Sequence, residues 1–201
     1  MDEKLLSEIA GCCLCAEVGL PRYQHRRRNA KAACRWKPDA VKLLLVGESP
    51  PKSGDYFYTN PTALFKAVAE ALCPDIARPD AACRQDVLGR LKELGVFLAD
   101  MAKCAVSYRD LEKLDRKRCL RLCSEHFVAE VKALEPRAIV PALKSIRPPL
   151  GDILRGTRWH PRLVWWPELP FPNFPARRTE FIENLRRIAD DLGIAWREPQ
   201  P

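Results

Sequence analysis

The stretch Val41-Lys-Leu-Leu-Leu-Val-Gly-Glu-Ser-Pro-Pro51 decides the fold, because an apolar run ends there in a tight turn that carries one carboxylate. A short apolar run bounded by glycine and two prolines is typical of a strand that is buried on both faces of a parallel sheet. Ligands of such sheets bind beyond the carboxyl ends of the strands. We therefore expect Glu48 to lie at the mouth of a pocket.

Apolar runs and helical patterns alternate along the rest of the chain. We predict four strands, at residues 41–47, 96–103, 137–143 and 163–169. After an N-terminal helix and a basic loop, helical patterns follow at residues 61–72, 81–94, 117–134, 145–154 and 175–192. This alternation predicts an α/β fold, a three-layer α/β/α sandwich around a central four-stranded, mostly parallel sheet.

Length and composition favour one compact domain. The chain has 201 residues, of which 47% are apolar, enough for one core. We expect a single domain over residues 1–201, with residues 1–40 forming a cysteine-containing and basic segment packed on that core. The sequence has no apolar run long enough to cross a membrane and no signal peptide. We therefore expect a cytoplasmic monomer that has no membrane partner.

The positive charge is concentrated in one segment. The formal net charge is +8, and one short stretch holds Arg22, His25, Arg26, Arg27, Arg28, Lys31, Arg35 and Lys37. Such a cluster suits the phosphate backbone of DNA, although a solvated loop without a partner is the alternative. We take Arg26, Arg27 and Arg28 as DNA-binding candidates. Arg177 and Arg178, at the start of the last predicted helix, are placed to meet phosphates as well.

The cysteines indicate a metal site. There are nine in a chain without a secretory signal, and this odd number argues against a disulfide framework. Cys12 and Cys15 form a C-x-x-C, Cys104 ends the second predicted strand, and Cys123 lies in the next helix. Four thiolates suit either a [4Fe-4S] cluster or tetrahedral zinc. Buried thiols that serve as small apolar side chains are the alternative.

The turn after the first strand resembles the first motif of the uracil-DNA glycosylase superfamily, most closely its iron-sulfur branch. That branch has Gly-Glu-(Ala/Gly)-Pro-Gly and then Gly-x-Pro-Phe, which Gly54-Asp-Tyr-Phe57 matches. The resemblance implies that Phe57 stacks on a base flipped out of DNA and that Gly47, Ser49 and Tyr56 line its site. The alternative is a structural turn in which Glu48 caps a helix.

The resemblance extends to the cysteines. The iron-sulfur branch has an early C-x-x-C, a Lys-Cys at the end of the second strand, and a final cysteine before a Glu-Pro strand entry. It therefore implies a [4Fe-4S] cluster, rather than zinc or no metal, on Cys12, Cys15, Cys104 and Cys123. The spacing leaves Cys119 open as the fourth ligand, and Cys13 adjoins the first pair.

Two motifs depart from the family pattern. Where the branch has Thr-Asn-x-x-Lys-Cys, with an asparagine that reads uracil, this chain has Ala99-Asp-Met-Ala-Lys-Cys104. An ionised Asp100 accepts hydrogen bonds but cannot donate one, so it suits a donor-rich base edge unless it is protonated. Where the family has His-Pro-Ser after the fourth strand, Phe171, Pro172 and Asn173 follow. Loss of that donor predicts an enzyme slower by on the order of a hundredfold or more, or one that uses another donor.

As a whole, the resemblance implies a monofunctional DNA glycosylase of base excision repair. Glu48 would activate water or stabilise the cationic sugar, and Asp100, Phe171 and Asn173 would surround the base. The loop at residues 167–175 would fill the gap in the duplex, whereas we expect Trp165 and Trp166, in the strand before it, to belong to the core. The alternatives are a DNA or damaged-base binding protein with weak catalysis, and a hydrolase or transferase acting on free nucleosides. His160 precedes the fourth predicted strand, so we expect it at the opposite rim.

Overall fold

The computed structural model describes residues 3–14, 26–51, 53–76, 82–104 and 113–196. In chain order its elements are α1 (Glu3–Gly11), α2 (Arg26–Arg35), β1 (Leu43–Gly47), α3 (Ala63–Leu72), α4 (Arg84–Leu94), β2 (Val96–Asp100), α5 (Lys113–Leu122), α6 (Ser124–Leu134), β3 (Ala138–Pro141), α7 (Arg147–Leu154) and α8 (Pro175–Asp191). Short 3-10 helices span Lys144–Ile146 and His160–Arg162. Within these ranges, no helix has both the length and the apolar character of a membrane span.

The strands form a parallel three-stranded sheet in the order β2-β1-β3. The central strand β1 has parallel neighbours on both sides, and its side chains from Leu43 to Val46 are fully buried. A strand enclosed in this way has no polar face, which explains its continuous apolar sequence. The deciding stretch was therefore interpreted correctly as the buried centre of a parallel sheet.

The predicted fourth strand is reduced to one contact. Leu163 forms a single parallel bridge with Ile139, and the Val164 N–H donates to the Ile139 carbonyl at 2.9 Å. Beyond this bridge the described chain forms no further strand pairing, and the carbonyl of Trp165 accepts a hydrogen bond from the Arg147 side chain. The expectation of a four-stranded sheet needs this correction: the described residues form three strands and one bridge.

Helices cover the sheet on both sides. The connection from β1 to β2 runs through α3 and α4, whereas that from β2 to β3 runs in the other direction across the sheet through α5 and α6. Right-handed crossovers place two such connections on opposite faces. The helix contacts agree, since α8 packs against α3, whereas α1 and α7 pack against α6. The α/β class with helices on both sides is thus observed.

Helix ends fix the chain on either side of the central strands. Thr62 caps α3 by accepting a hydrogen bond from the Phe65 N–H at 3.1 Å, an orphan donor of the first turn. Gly95 ends α4 with a φ of 76°, and a Cβ there would stand 2.8 Å from the Ala40 carbonyl oxygen. Its own carbonyl accepts hydrogen bonds from Lys42 and Leu43. The turn therefore aligns the start of β1 with the start of β2.

Two predicted segments differ in local structure. The basic segment was predicted as a loop, but from Arg26 to Arg35 it is helix α2. Arginine, lysine and alanine all favour helix, and Asn29 and Ala33, four residues apart, provide a buried face. The helix predicted at residues 117–134 is two helices, which are separated at Cys123.

Candidate active site

The carboxyl ends of β1 and β2 form the centre of the site. In the sheet register Gly47 lies opposite Asp100. The pairing continues past both strands, because Met101 N–H donates to the Gly47 carbonyl at 3.0 Å and Ala102 N–H donates to the Glu48 carbonyl at 2.8 Å. The backbone of Glu48 is thereby fixed beside the residues that follow Asp100. Glu48 itself is 6% exposed.

Gly47 is required by the side chain opposite it. A Cβ at Gly47 would overlap Oδ1 of Asp100 and would stand 3.2 Å from its Cγ. The carboxyl group of Asp100 therefore lies directly against the backbone of the first-motif turn. This contact brings together Gly47 and Asp100, two residues that the resemblance assigned to the base site.

Asp100 is buried among charged side chains. Lys103 Nζ donates to the Asp100 carbonyl at 2.5 Å and also forms an ion pair with the buried carboxylate of Glu130. The ammonium group lies 5.5 Å from the centre of the Phe127 ring. Burial raises the pKa of Asp100 to about 7, against the opposing effect of Lys103, and Glu130 and Glu48 raise it further. Near neutral pH, the protonated and the ionised form of the Asp100 side chain are therefore both populated.

The rings of Tyr56, Phe57 and Tyr58 lie in three different environments. The Tyr58 hydroxyl donates to the Leu98 carbonyl at 3.0 Å and accepts from the Leu98 N–H, so it covers the outer edge of β2. Phe57 packs edge to face against Tyr58 and Phe65, with ring centres 5.1 and 5.4 Å apart. Phe57 therefore lies in the apolar core in this structure.

Tyr56, not Phe57, lines the cavity that contains Asp100. Burial raises the pKa of Tyr56 well above its usual value, and the Asp100 charge adds to this effect, so its hydroxyl stays neutral. The Tyr56 backbone is anchored by hydrogen bonds from the N–H groups of Thr59 and Asn60 to its carbonyl. The stacking role that the resemblance gave to Phe57 would need Phe57 to leave the core, whereas Tyr56 is already beside Asp100.

The first-motif loop, which runs from Gly47 through Gly54 to Phe57, is hydrogen-bonded to helix α2. Arg28 Nη2 donates to the Gly54 carbonyl at 2.7 Å, so one candidate DNA-binding arginine also holds this loop. The side chains of Arg26 and Arg27 lie outside the described residues. Ser49 is half-buried in the turn after Glu48. The helix that carries the basic residues is thus joined to the site.

The aromatic loop, residues 165–174, contains the altered third motif and presents large apolar side chains to solvent. Their exposed fractions are 39% for Trp165, 71% for Trp166, 40% for Phe171 and 59% for Phe174. Arg147 anchors the loop, since it donates to the Trp165 carbonyl and pairs with Glu168. Neither Phe171 nor the exposed Asn173 is among the described residues that line the Asp100 cavity.

The remaining predicted residues are less closely connected with the site. Arg178 donates to the Glu70 carboxylate at 2.6 and 2.9 Å, so part of its charge is already neutralised. Arg177 is exposed, with its guanidinium 5.9 Å from the Phe174 ring. His160 lies in the turn before the Leu163 bridge, at the end of the sheet opposite to Glu48.

The cysteines are described in part. Cys104, Cys119 and Cys123 are buried and Cys12 is half-buried, whereas Cys15 lies outside the described residues. Within the described ranges, no three side chains of histidine, cysteine, aspartate or glutamate are grouped to hold a metal. Cys12, Cys104 and Cys123 are therefore not assembled into a site here, and the predicted cluster stays a prediction.

Three residues of the site were not found from the sequence. Glu130 pairs with Lys103, Tyr58 covers the edge of β2, and Asn29 lines the Asp100 cavity. A carboxylate at position 130, flanked by the buried Phe127, Val131 and Leu134 of α6, was a usable signal, because a charge on an apolar helix face needs a partner. Nothing in the arginine-rich sequence around Asn29 distinguished it.

These features define a class of protein: a parallel α/β fold with acidic side chains in a pocket at the carboxyl ends of its central strands. Residues 35–168, two thirds of the chain, match the family model described as the Uracil DNA glycosylase superfamily. The chain belongs to that superfamily. The matched range includes Glu48, Asp100 and Cys123, and it excludes α1, most of α2 and the last part of the aromatic loop. A comparison with curated proteins finds no match.

Proposed function

We propose that this protein is a DNA glycosylase that hydrolyses the N-glycosidic bond of uracil or another deaminated base during repair. The observation that carries the proposal is Glu48, a buried carboxylate fixed at the end of the central strand, beside Asp100, in a member of the uracil-DNA glycosylase superfamily. Membership of the family supports a glycosylase on DNA. The choice of base is the finer part of the proposal.

The chemistry follows from the positions of the acidic groups. A glycosylase draws its target nucleotide out of the duplex into a pocket. As the bond from C1′ to the base breaks, positive charge develops on the sugar, and a fixed carboxylate stabilises it or removes a proton from the attacking water. Glu48 is assigned this role, because its backbone is already held by Ala102 and needs no rearrangement.

The base would be held at the end of β2. Tyr56 supplies a neutral ring and Asp100 a carboxyl group on one cavity. Phe57 remains the stacking residue that the resemblance implies, but in the described structure Tyr56 has the better position. On the DNA side, Arg26, Arg27, Arg28 and Arg177 would meet phosphates, and the exposed tryptophans of the aromatic loop would fill the space left by the flipped base.

A second candidate function is supported by the third motif. Phe171 is 40% exposed and has no polar side-chain atom, so it cannot stabilise negative charge on a leaving base. A protein that binds damaged DNA on the same fold, with weak catalysis, would tolerate this change. The two functions predict different results in one assay.

Strand cleavage after alkali treatment tests the proposal, with labelled oligonucleotides that each contain one uracil, hypoxanthine or xanthine. We expect cleavage at one base, and we expect Glu48→Gln to lower the rate by a hundredfold or more, because general base and charge stabilisation are both lost. Absence of cleavage at any base, with salt-sensitive DNA binding retained, would replace the glycosylase by the binding protein.

We also propose a metal centre, a [4Fe-4S] cluster or zinc, on Cys12, Cys15, Cys104 and Cys123, with Cys119 as the alternative fourth ligand. The C-x-x-C pair and the later Lys-Cys support it. Iron, sulfide and zinc contents of purified protein test it. Cys123→Ser should lose the metal, whereas Cys73→Ala, at a buried thiol whose pKa burial raises to about 12, should keep it. Protein without either metal would refute the centre.

A further inference from the structure

Asn29 presents a buried polar atom that the fold does not use. The residue lies on α2 and is only 5% exposed, and its Oδ1 has no hydrogen-bond partner among the described residues. Leaving a buried carbonyl oxygen without a donor destabilises the folded protein. Since the great majority of buried polar groups are paired, an unpaired one requires an explanation. A ligand that supplies the donor is one.

The surroundings of Asn29 are those of the proposed base pocket. Asn29 lines the same cavity as Tyr56 and Asp100, which are contributed by the first-motif loop and the end of β2. Pro50 of the first-motif turn also lines it. The cavity has a volume of about 20 Å³, room for about one water molecule. It can therefore receive about one hydrogen-bonding group, such as the ring N–H of a base, while the rest of the base lies outside it.

The hydrogen-bonding pattern of a base changes when it is deaminated. N3 of cytosine and N1 of adenine accept hydrogen bonds, whereas N3 of uracil and N1 of hypoxanthine carry a hydrogen and donate. The side-chain carbonyl of asparagine accepts and never donates. An unpartnered Oδ1 therefore complements the N–H that deamination creates and opposes the lone pair of the intact base.

We propose that Asn29 is a specificity-determining residue whose Oδ1 accepts a hydrogen bond from the ring N–H of a deaminated base. The inference rests on the proposed glycosylase function and assigns base selection to a residue of α2. Asn29 precedes residue 35, where the family match begins. Asn29 and Asp100 would share the task that one asparagine performs in the relatives, with Asp100 facing the adjacent carbonyl of the base.

Asp100 can contribute the complementary donor. Its protonated form has one O–H, which would donate to the carbonyl next to the ring N–H. The charged groups that act on Asp100 are Lys103, Glu130 and Glu48. Two of these three are carboxylates, and together with burial they favour the protonated form near neutral pH. Asn29 and protonated Asp100 can therefore recognise a ring N–H and the carbonyl beside it, although position 100 does not carry the asparagine of the family motif.

Equilibrium binding tests the role of Asn29 without requiring cleavage. The probes are two duplexes that contain 2′-fluoro-2′-deoxyuridine or its 3-methyl derivative, because the fluorine opposes formation of the cationic sugar and keeps the bond intact. We expect the wild-type protein to bind the uracil duplex about tenfold more tightly, a difference typical of one hydrogen bond and the exclusion of a methyl group. Asn29→Leu should bring this ratio close to one, and Asn29→Asp, which keeps an acceptor, should retain most of it.

Each failure has a distinct meaning. A ratio that persists in folded Asn29→Leu, or a wild-type protein that does not discriminate, overturns the role of Asn29. If Asn29→Leu does not fold, Asn29→Ala gives the same test, because alanine suits a helix and leaves no polar atom unpaired. Lack of cleavage at every base in the alkali assay would refute the proposed glycosylase, whereas the binding ratio would still report on Asn29.

Discussion

The end of the central strands and the aromatic loop are built in opposite ways. Glu48 and Asp100 are 6% and 7% exposed, and their backbones continue the hydrogen bonding of the sheet. Trp166 and Phe174 are 71% and 59% exposed, in a loop anchored by the side chain of Arg147. One region is held by the core of the protein, and the other is held by a few side chains at its surface.

The difference separates two requirements of a protein that acts on DNA. Charges that stabilise a transition state are effective when they are fixed before the substrate arrives, and burial in a sheet fixes them. A surface that contacts a large partner must be exposed, and contiguous exposed apolar groups are typical of such surfaces. Stability should therefore depend strongly on the first region and weakly on the second.

The largest effect is expected from the charge of Asp100. Its pKa of about 7 lies above the value near 4 of an unfolded aspartate, so between these pH values the folded protein holds more protons than the unfolded one. The free energy of unfolding should therefore fall as pH rises from about 4 to about 7, by a few kcal/mol. Asp100→Asn should lose this dependence and be more stable than the wild type above pH 7.

Urea denaturation at a series of pH values measures this effect. An unchanged pH dependence of the free energy of unfolding in Asp100→Asn would show that Asp100 does not have a raised pKa in the folded protein. The same variant restores the amide of the family pattern, so its activity on uracil is of separate interest.

A second, smaller loss of stability is expected when Gly47 is replaced by alanine. The added Cβ would overlap Asp100 Oδ1, and displacing the buried carboxyl group should cost about 1–3 kcal/mol. Gly89→Ala is the control, because a Cβ there meets nothing within 4 Å inside helix α4 and should stabilise by roughly 0.5–1 kcal/mol. Thermal melting of both variants compares them, and equal melting temperatures would argue against the close contact.

The third effect concerns the anchor of the aromatic loop. Arg147→Met removes the hydrogen bond to Trp165 and the pair with Glu168, and a loss of about 1 kcal/mol is expected, or 2–4 °C in melting temperature. Arg155→Met, at an exposed pair with Asp152, should change little. If the two variants melt together, the arginine does not hold the loop.

The smallest effect on stability is expected at the most exposed residue of the loop. Trp166→Ala should leave the melting temperature within about 1 °C, because so little of the side chain is buried. Its affinity for DNA should fall several-fold if the loop contacts the duplex, as fluorescence anisotropy would show. Trp196→Ala, at a buried tryptophan, should instead lower the melting temperature.

The sequence predicted the elements whose pattern is local. The apolar run of β1 and the spacing of Phe181, Leu185 and Ile188 in α8 were sufficient, because each records burial against the core directly. The prediction of a fourth strand was wrong because it relied on the same signal. Trp165 and Trp166 continue an apolar run, but both are exposed. Apolar side chains at an exposed surface cannot be distinguished from a buried strand by composition.

The candidate site was predictable where it follows the strands. Glu48 was found because ligands of parallel sheets bind beyond the carboxyl ends of the strands, whereas Asp100 was found through the resemblance to the second family motif. Asn29 and Glu130 reach the same place from α2 and α6, whose packing depends on long-range contacts that no local pattern records. The arginines around Asn29 also favoured a loop, although they are good helix formers.

Tyr58 has a consequence for the protein in concentrated solution. Strand β2 forms one border of the described sheet, and an open border offers backbone groups to which a second molecule can add a strand. The phenol of Tyr58 occupies both groups of Leu98 in the middle of that border. A single side chain thus takes the place of a neighbouring strand, and the protein is protected there from aggregation by edge-to-edge pairing.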